Sequence, residues 1–336
     1  MFGNKKIELR TQKERFFYYN DRKMLKETLE IERLVQSYPE LKYYSEPKRQ
    51  LLEGIIGEKF SQQRENMSNA YRYILEHHVI DDYNLHVLYD ILSENQLNEY
   101  EQLEDKSAYR KKNVYIVNTN MNSMCSLSLP TIIAMGVSPE KIKEYMDDLF
   151  EFLENKDINP LLKSQIIHFY FIYVQPFYNV NKRSAKTLSL WYLMESNSTP
   201  YTILNRGISF NRNDYISSIE DSRCGNMTPF LETTLGILKK ELQLQININE
   251  TKEEYGLSRE ECETLEMLIR TQNLTLKEVI NLYSKYKGLY DKKVIAKKIK
   301  QLERKGIIIL NKNTKDISLA REEIGWQYRK NYISKK

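Results

Sequence analysis

Cysteine, proline and glycine are all scarce in this 336-residue chain, at 3, 8 and 11 residues. The cysteines, Cys125, Cys224 and Cys262, lie far apart and form no CxxC pair. That argues against a disulfide framework and a zinc site, and it fits a reducing, cytoplasmic setting. Few glycines and prolines, with no low-complexity tract, argue against long disordered stretches. No apolar run approaches the roughly 20 residues that span a bilayer. The longest, near Ile166 to Val174, is far too short, so no membrane partner is expected. Met1 to Arg10 is charged, and no secretory leader is expected there. His77, His78, His86 and His168 lack the spacing of metal ligands, and no metal is assigned to them.

What is present is ordinary in bulk and uneven in detail. The length suggests two or three domains with ample core. The apolar fraction of 41% and charged fraction of 29% suit a globular protein. The formal charge of +5 is not evenly spread: residues 251–336 carry about 20 Lys and Arg against 12 Asp and Glu, which leaves the remainder mildly acidic. A basic C-terminal module points toward nucleic acid.

Helical spacing of apolar residues predicts a helix over Lys13 to Gln36 and another after Glu46-Pro47 carrying Leu51, Leu52, Ile55 and Ile56. Further helices are expected over Asn66 to His77 and Tyr83 to Leu97. Lys112 to Val117 alternates and is β-branched, a strand, with Asn118 to Asn122 as the turn of a small hairpin. Helices follow at Pro139 to Leu153, Pro160 to Val174, Asn181 to Glu195, Asn213 to Glu220 and Pro229 to Leu244. The polar stretch after Gln245 reads as a linker. Beyond it come helices at Ser258 to Arg270, Thr275 to Tyr283 and Lys292 to Arg304, then apolar strands around Ile307 to Leu310 and Ile317 to Leu319. Three helices and a hairpin in this order resemble a winged helix-turn-helix. Its third helix, with Lys292, Lys293, Lys297, Lys298 and Lys300, would be the one presented to a DNA major groove, or else a solvated face of a protein-docking module. The expected divisions are 1–62 (N-terminal helical segment), 63–245 (core), 246–257 (linker) and 258–336.

The chain is organised around Ile166 to Leu193, two apolar helices joined by a polar loop, Gln175 to Lys182. If the first helix ends near Val174 and the second begins at Asn181, the loop sits at a helix N-terminus, where unpaired N–H groups and the positive dipole end favour an anion. Asn181 can cap this helix, Phe177 can bury and hold the loop, and Lys182, Arg183 and Lys186 add positive charge. Basic residues oppose the dipole in a first turn, so either a bound anion or a carboxylate from elsewhere should compensate them.

The loop, QPFYNVNKRSAK, resembles the signature H-P-F-x-[DE]-G-N-[GK]-R-x-x-R of Fic (Fido) proteins. Pro176, Phe177, Asn181, Lys182 and Arg183 match, and Lys186 replaces the last Arg. Leu85-His86, Tyr109-Arg110, Leu129-Pro130, Asn211-Arg212-x-x-Tyr215 and Thr228-Pro229-Phe230 occur in family order, so the resemblance covers about residues 46–244. It implies a mainly α fold: a Fic-like helical core with a small β-hairpin flap, followed here by the winged helix-turn-helix. It also implies transfer of AMP from ATP to a hydroxyl of a target protein. In that chemistry the His is the general base, the acidic residue holds Mg²⁺, and the glycine, Asn and Arg residues hold phosphates.

The departures fall on the chemical positions. Gln175 stands at the His, Asn179 at the acid and Val180 at the glycine. If that last position needs a positive φ, a β-branched residue is costly there. The resemblance further implies an inhibitory role for Glu53 facing Lys186. It also makes Val114, Tyr115, Ile116 and Val117 a flap that pairs with a target peptide. Three readings stay open: an impaired Fic protein that binds ATP or another nucleotide, with Mg²⁺ weak or absent, and acts as a regulator through partner or DNA contacts; an active transferase of altered chemistry; and a partner-binding module. A homo-oligomer is also left open.

Overall fold

The computed structural model describes residues 3–12, 14–37, 61–118, 131–196, 201–270, 275, 277–280, 292–310 and 317–320. The chain divides into two compact units, residues 1–35 with 39–237, and residues 36–38 with 238–336.

The first unit opens with an antiparallel hairpin of β1 (Gly3–Arg10) and β2 (Arg15–Asn20), followed by helix α1 (Arg22–Ser37). This corrects the helix expected from Lys13. Arg15–Asn20 is strand because its aromatics alternate: Phe16 and Tyr18 are buried while Tyr19 is 47% exposed, a period of two that suits β structure. Phe16 inserts edge-on against Phe169, Tyr170 and Tyr173. The helix proper starts after Asp21, whose carboxylate accepts the N–H of Met24 at 2.8 Å. Met24, Thr28, Ile31 and Val35 then make its buried stripe.

Helices α2 (Ser61–Glu76) and α3 (Asp82–Ser93) come next. Asp81 caps α3 by accepting the N–H of Asn84 at 2.8 Å. Strands β3 (Tyr115–Asn118) and β4 (Thr131–Met135) pair antiparallel, with a register shift between Ile116 and Val117. The hairpin is where the sequence places it. Beyond Asn118, the turn expected at Asn118 to Asn122 lies outside the described residues. A 3-10 turn, Pro139–Lys141, leads into α4 (Ile142–Glu154).

Helix α5 (Pro160–Val174) is the centre of this unit. Every residue from Leu161 to Val174 is buried, so it has no solvent face. Asn159 caps it, and Pro160 occupies the first turn, where a missing N–H costs nothing. Helix α6 (Asn181–Glu195) packs along it. Helices α7 (Tyr201–Phe210, not expected from the sequence) and α8 (Arg212–Ser222) follow.

Helix α9 (Thr228–Tyr255) is continuous and contributes residues to both units. Residues 246–255, expected as linker, are its last turns. Polar Asn247, Asn249 and Glu250 disguised the stretch, but Ile246 and Ile248 are buried. The second unit has its own core, in which Leu244, Leu265, Ile269, Ile295, Ile299, Leu302 and Ile308 take part. It contains α10 (Arg259–Arg270), helical residues 277–280, α11 (Lys292–Arg304), and an antiparallel pair, β5 (Ile308–Leu310) with β6 (Ile317–Leu319). Among the described residues, no helix is long and apolar enough to cross a membrane.

Candidate functional site

The loop between α5 and α6 is built by residues in unusual conformations, each held from a different side. Gln175 ends α5 in the left-handed region, with φ 53° and ψ 62°. Its N–H still bonds the Phe171 carbonyl at 3.0 Å, and its side-chain amide donates to the Ile172 carbonyl at 2.7 Å. The residue at the expected base position thus caps its own helix, and it is only 7% exposed.

Phe177 drops fully into the core and stacks on Tyr89 at 3.8 Å, with His86 edge-on at 5.4 Å. The buried side chain of Asn181 then locks the loop. Its Oδ1 accepts the Phe177 N–H at 3.0 Å, and its Nδ2 donates to the Phe177 carbonyl at 2.7 Å. Asn181 was expected as the cap of α6. That position belongs to Val180, which makes no side-chain cap bond. Val180 has φ 63° and ψ −1°, so the position does need a left-handed residue, and a buried β-branched side chain occupies it. Such a conformation costs roughly 1–2 kcal/mol relative to glycine.

Asn179 is exposed, and its amide donates to Glu101 at 2.9 Å while its Oδ1 accepts the Val180 N–H at 2.7 Å. The N–H groups of Arg183 and Ser184 bond the Val180 carbonyl. Those of Asn181 and Lys182 meet no acceptor among the described residues. Around this helix start stand Lys182, Arg183 and Lys186. Desolvation, and then the charge of Arg212, lower the pKa of Lys182, although part of its side chain remains exposed. Arg183 makes a long contact of 3.4 Å with the Leu92 carbonyl. Lys186 acts on the buried His168, whose pKa is held down to about 3 by burial first and by Lys186 second. His168 keeps a neutral ring, paired through Nε2 with the Tyr215 hydroxyl at 2.8 Å.

Sequence reasoning missed the residue that holds this loop to the hairpin. Arg110 is 1% exposed. Its guanidinium donates to the carbonyls of Gln175 at 2.6 Å and Lys112 at 2.7 Å, and also to that of Val137. Its own N–H bonds the Pro176 carbonyl at 3.1 Å. Burial lowers its pKa to about 10. A cation at the C-terminal end of α5 complements the negative dipole end there. Gly136 permits the arrangement, since a Cβ at that position would lie 2.7 Å from the guanidinium. The Tyr109-Arg110 pair was legible as a family landmark, but nothing in its type or spacing disclosed the clamp.

The structure brings Gln175, Asn179, Asn181, Lys182, Arg183 and Lys186 to one loop and helix start. The backbone at Val114 joins the hairpin through the Gly136 N–H at 3.1 Å, and Tyr115, Ile116 and Val117 lie in β3. Glu53 lies outside the described residues. Lys292 opens α11, and Lys293 and Lys297 on that helix are exposed. Lys298 is instead turned to Glu260 at 3.1 Å.

A divalent cation such as Mg²⁺ needs several oxygen ligands. Here Asn179 Oδ1 is engaged by a backbone N–H, and Glu101 brings one carboxylate to the loop. Among the described residues no group of three or more His, Cys, Asp or Glu could hold a metal ion.

Residues 80–193 match the Fic/DOC family, a span that runs from the start of α3 through nearly all of α6 and contains the loop. Among solved structures, the chain is similar to a Fic family protein from Desulfovibrio desulfuricans G20. The identity is 15% and the TM-score 0.55, over 89% of this chain and 96% of that one. It is also similar to Fic-1 from C. elegans, at 20% identity and a TM-score of 0.44, over 57% of this chain and 52% of that one. The first likeness shows a Fic-like fold, and the family match places a Fic/DOC domain at residues 80–193.

Proposed function

We propose that this Fic-domain protein binds a phosphate-bearing ligand, ATP or another nucleotide, at the start of α6, and is impaired in AMP transfer. One observation carries the reading: the base position holds Gln175, whose amide is bonded back to the Ile172 carbonyl. A neutral amide cannot take a proton from a target hydroxyl, and general-base help is worth roughly 10²–10⁴-fold. What persists is the anion side of the site. The N–H groups of Asn181 and Lys182 and the charges of Lys182, Arg183 and Lys186 surround the helix start. Mg²⁺ is held weakly or not at all.

The protein then acts as a regulator. Val114 to Val117 offer a strand to a target protein, Glu53 is the inhibitory carboxylate that the Fic resemblance implies, and the C-terminal unit, read as a winged helix, contacts nucleic acid.

The test is label transfer from labelled ATP to proteins of a cell extract. It uses the native chain, its Glu53→Gly variant, and a Gln175→His/Asn179→Asp/Val180→Gly variant. Label only with the triple variant is the expected result. Label with the native chain would overturn the reading. Calorimetric titration with ATP separates the binding half of the proposal: saturable binding that Lys182→Gln/Arg183→Gln/Lys186→Gln removes is expected, and no binding by the native chain or by Glu53→Gly sinks it.

A further inference from the structure

On α11 the cations are sorted by direction. Ile295, Ile299 and Leu302 are buried and fix which face meets the core of the second unit. Lys298, on the flank, reaches Glu260 at 3.1 Å, and Lys305, just beyond the helix, reaches Glu261 at 3.0 Å. Both acids stand in the first turn of α10, so these two lysines are drawn toward the protein. Lys293, Lys297, Lys300 and Arg304 are exposed. Their spacings of four, three and four residues place them on one helical face, turned away from the buried one. Along an α-helix that row extends about 16 Å, enough to cross a major groove about 12 Å wide. Val294, 40% exposed, lies beside the row and offers the kind of apolar surface that meets a thymine methyl.

We infer that this row is a duplex-DNA contact, with α11 laid along the major groove and Lys293, Lys297, Lys300 and Arg304 on phosphates and base edges. The inference rests on the reading that the C-terminal unit contacts nucleic acid, and narrows it to one face of one helix. It also reassigns residues: Lys298 is a structural partner of Glu260, while Arg304 joins Lys293, Lys297 and Lys300 in the DNA-facing row. A straight row of like charges on a rigid helix matches a polyanion of regular charge spacing. The +8 surplus of residues 251–336 draws the same partner.

The test is fluorescence anisotropy of the full chain with duplex DNA and with single-stranded DNA of the same length, over a salt series. The native chain should prefer the duplex and show a steep log–log salt dependence. The Lys293→Gln/Lys297→Gln/Lys300→Gln/Arg304→Gln variant should bind at least about tenfold more weakly, and its slope should flatten by up to about 3.6, or about 0.9 for each phosphate that is no longer neutralised. It should melt with the native chain, because all four side chains are exposed. Lys298→Gln should bind DNA as the native chain does. Three results overturn the inference while leaving the nucleic-acid reading standing: undiminished binding by the fourfold variant, an equal weakening in Lys298→Gln, or a preference for single strands. Binding of neither DNA by the native chain at low salt overturns the reading itself, and the inference with it.

Discussion

Two helix starts in this chain are built on opposite rules. Helix α10 is self-sufficient: the carboxylate of Glu261 accepts the Ser258 N–H at 2.7 Å, and the Ser258 hydroxyl accepts the Glu261 N–H at 3.3 Å. This is a capping box, with Glu260 and Glu261 in the first turn where the dipole favours acids. Helix α6 has no side-chain cap, no acid in its first turn, a left-handed valine before it, and Lys182 and Arg183 just inside. It is held from behind instead, by Phe177 in the core, Asn181 on the loop backbone and Arg110 on the carbonyls that precede the loop. A helix end that caps itself uses up its donors. One supported by its neighbours leaves backbone N–H groups, here those of Asn181 and Lys182, without an acceptor among the described residues.

If the support lies behind α6, its removal should cost more than removal of the α10 cap. Arg110→Met leaves several buried carbonyls without a donor and should lower stability by about 3 kcal/mol or more in denaturant unfolding. Asn181→Ala strands the Phe177 N–H and carbonyl and should cost about 2 kcal/mol by the same measurement. Ser258→Ala, breaking the self-made cap, should cost about 1 kcal/mol.

A pH series sharpens the contrast. Burial raises the pKa of Glu261, but the Ser258 N–H and Lys305 outweigh it and hold the folded value below the usual carboxylate range. Its contribution is therefore complete above the unfolded pKa and is lost as pH falls through the folded one. Glu261→Gln should remove that part of the acid dependence of stability. The first turn of α6, which has no acid, should contribute none of it. The smallest effect is expected at Val180→Gly. Relief of about 1–2 kcal/mol of left-handed strain is offset by a buried valine side chain worth a similar amount, for a net change within about 1 kcal/mol. A large stabilisation there would show that the loop backbone is more strained than its neighbours can hold.

Much of the site was legible in the sequence. The end of α5 at Val174 and the start of α6 at Asn181 follow from an apolar helix run, a Pro-containing polar loop and a second run. The burial of Phe177 follows from an aromatic residue set among polar ones. Other parts were hidden for identifiable reasons. In β2 the exposed Tyr19 is as aromatic as its buried neighbours, so alternation of burial left no alternation of type. In α9 the polar Asn247 and Glu250 flank buried isoleucines and imitate a linker. Arg110 lies 65 residues from the carbonyl it binds, and no local pattern reports such a contact.

The sequence by itself determined the two apolar helices that flank the loop, where the loop falls, and that neutral side chains occupy the positions the Fic resemblance assigns to base and acid. Those are properties of residue type and of periodicity along the chain. Only the tertiary structure decided that Gln175 turns back onto its own helix, that Asn181 braces the loop and does not cap α6, and that Lys298 is drawn to Glu260. The first two depend on left-handed turns at Gln175 and Val180 that packing holds in place, and the third on a carboxylate 38 residues away.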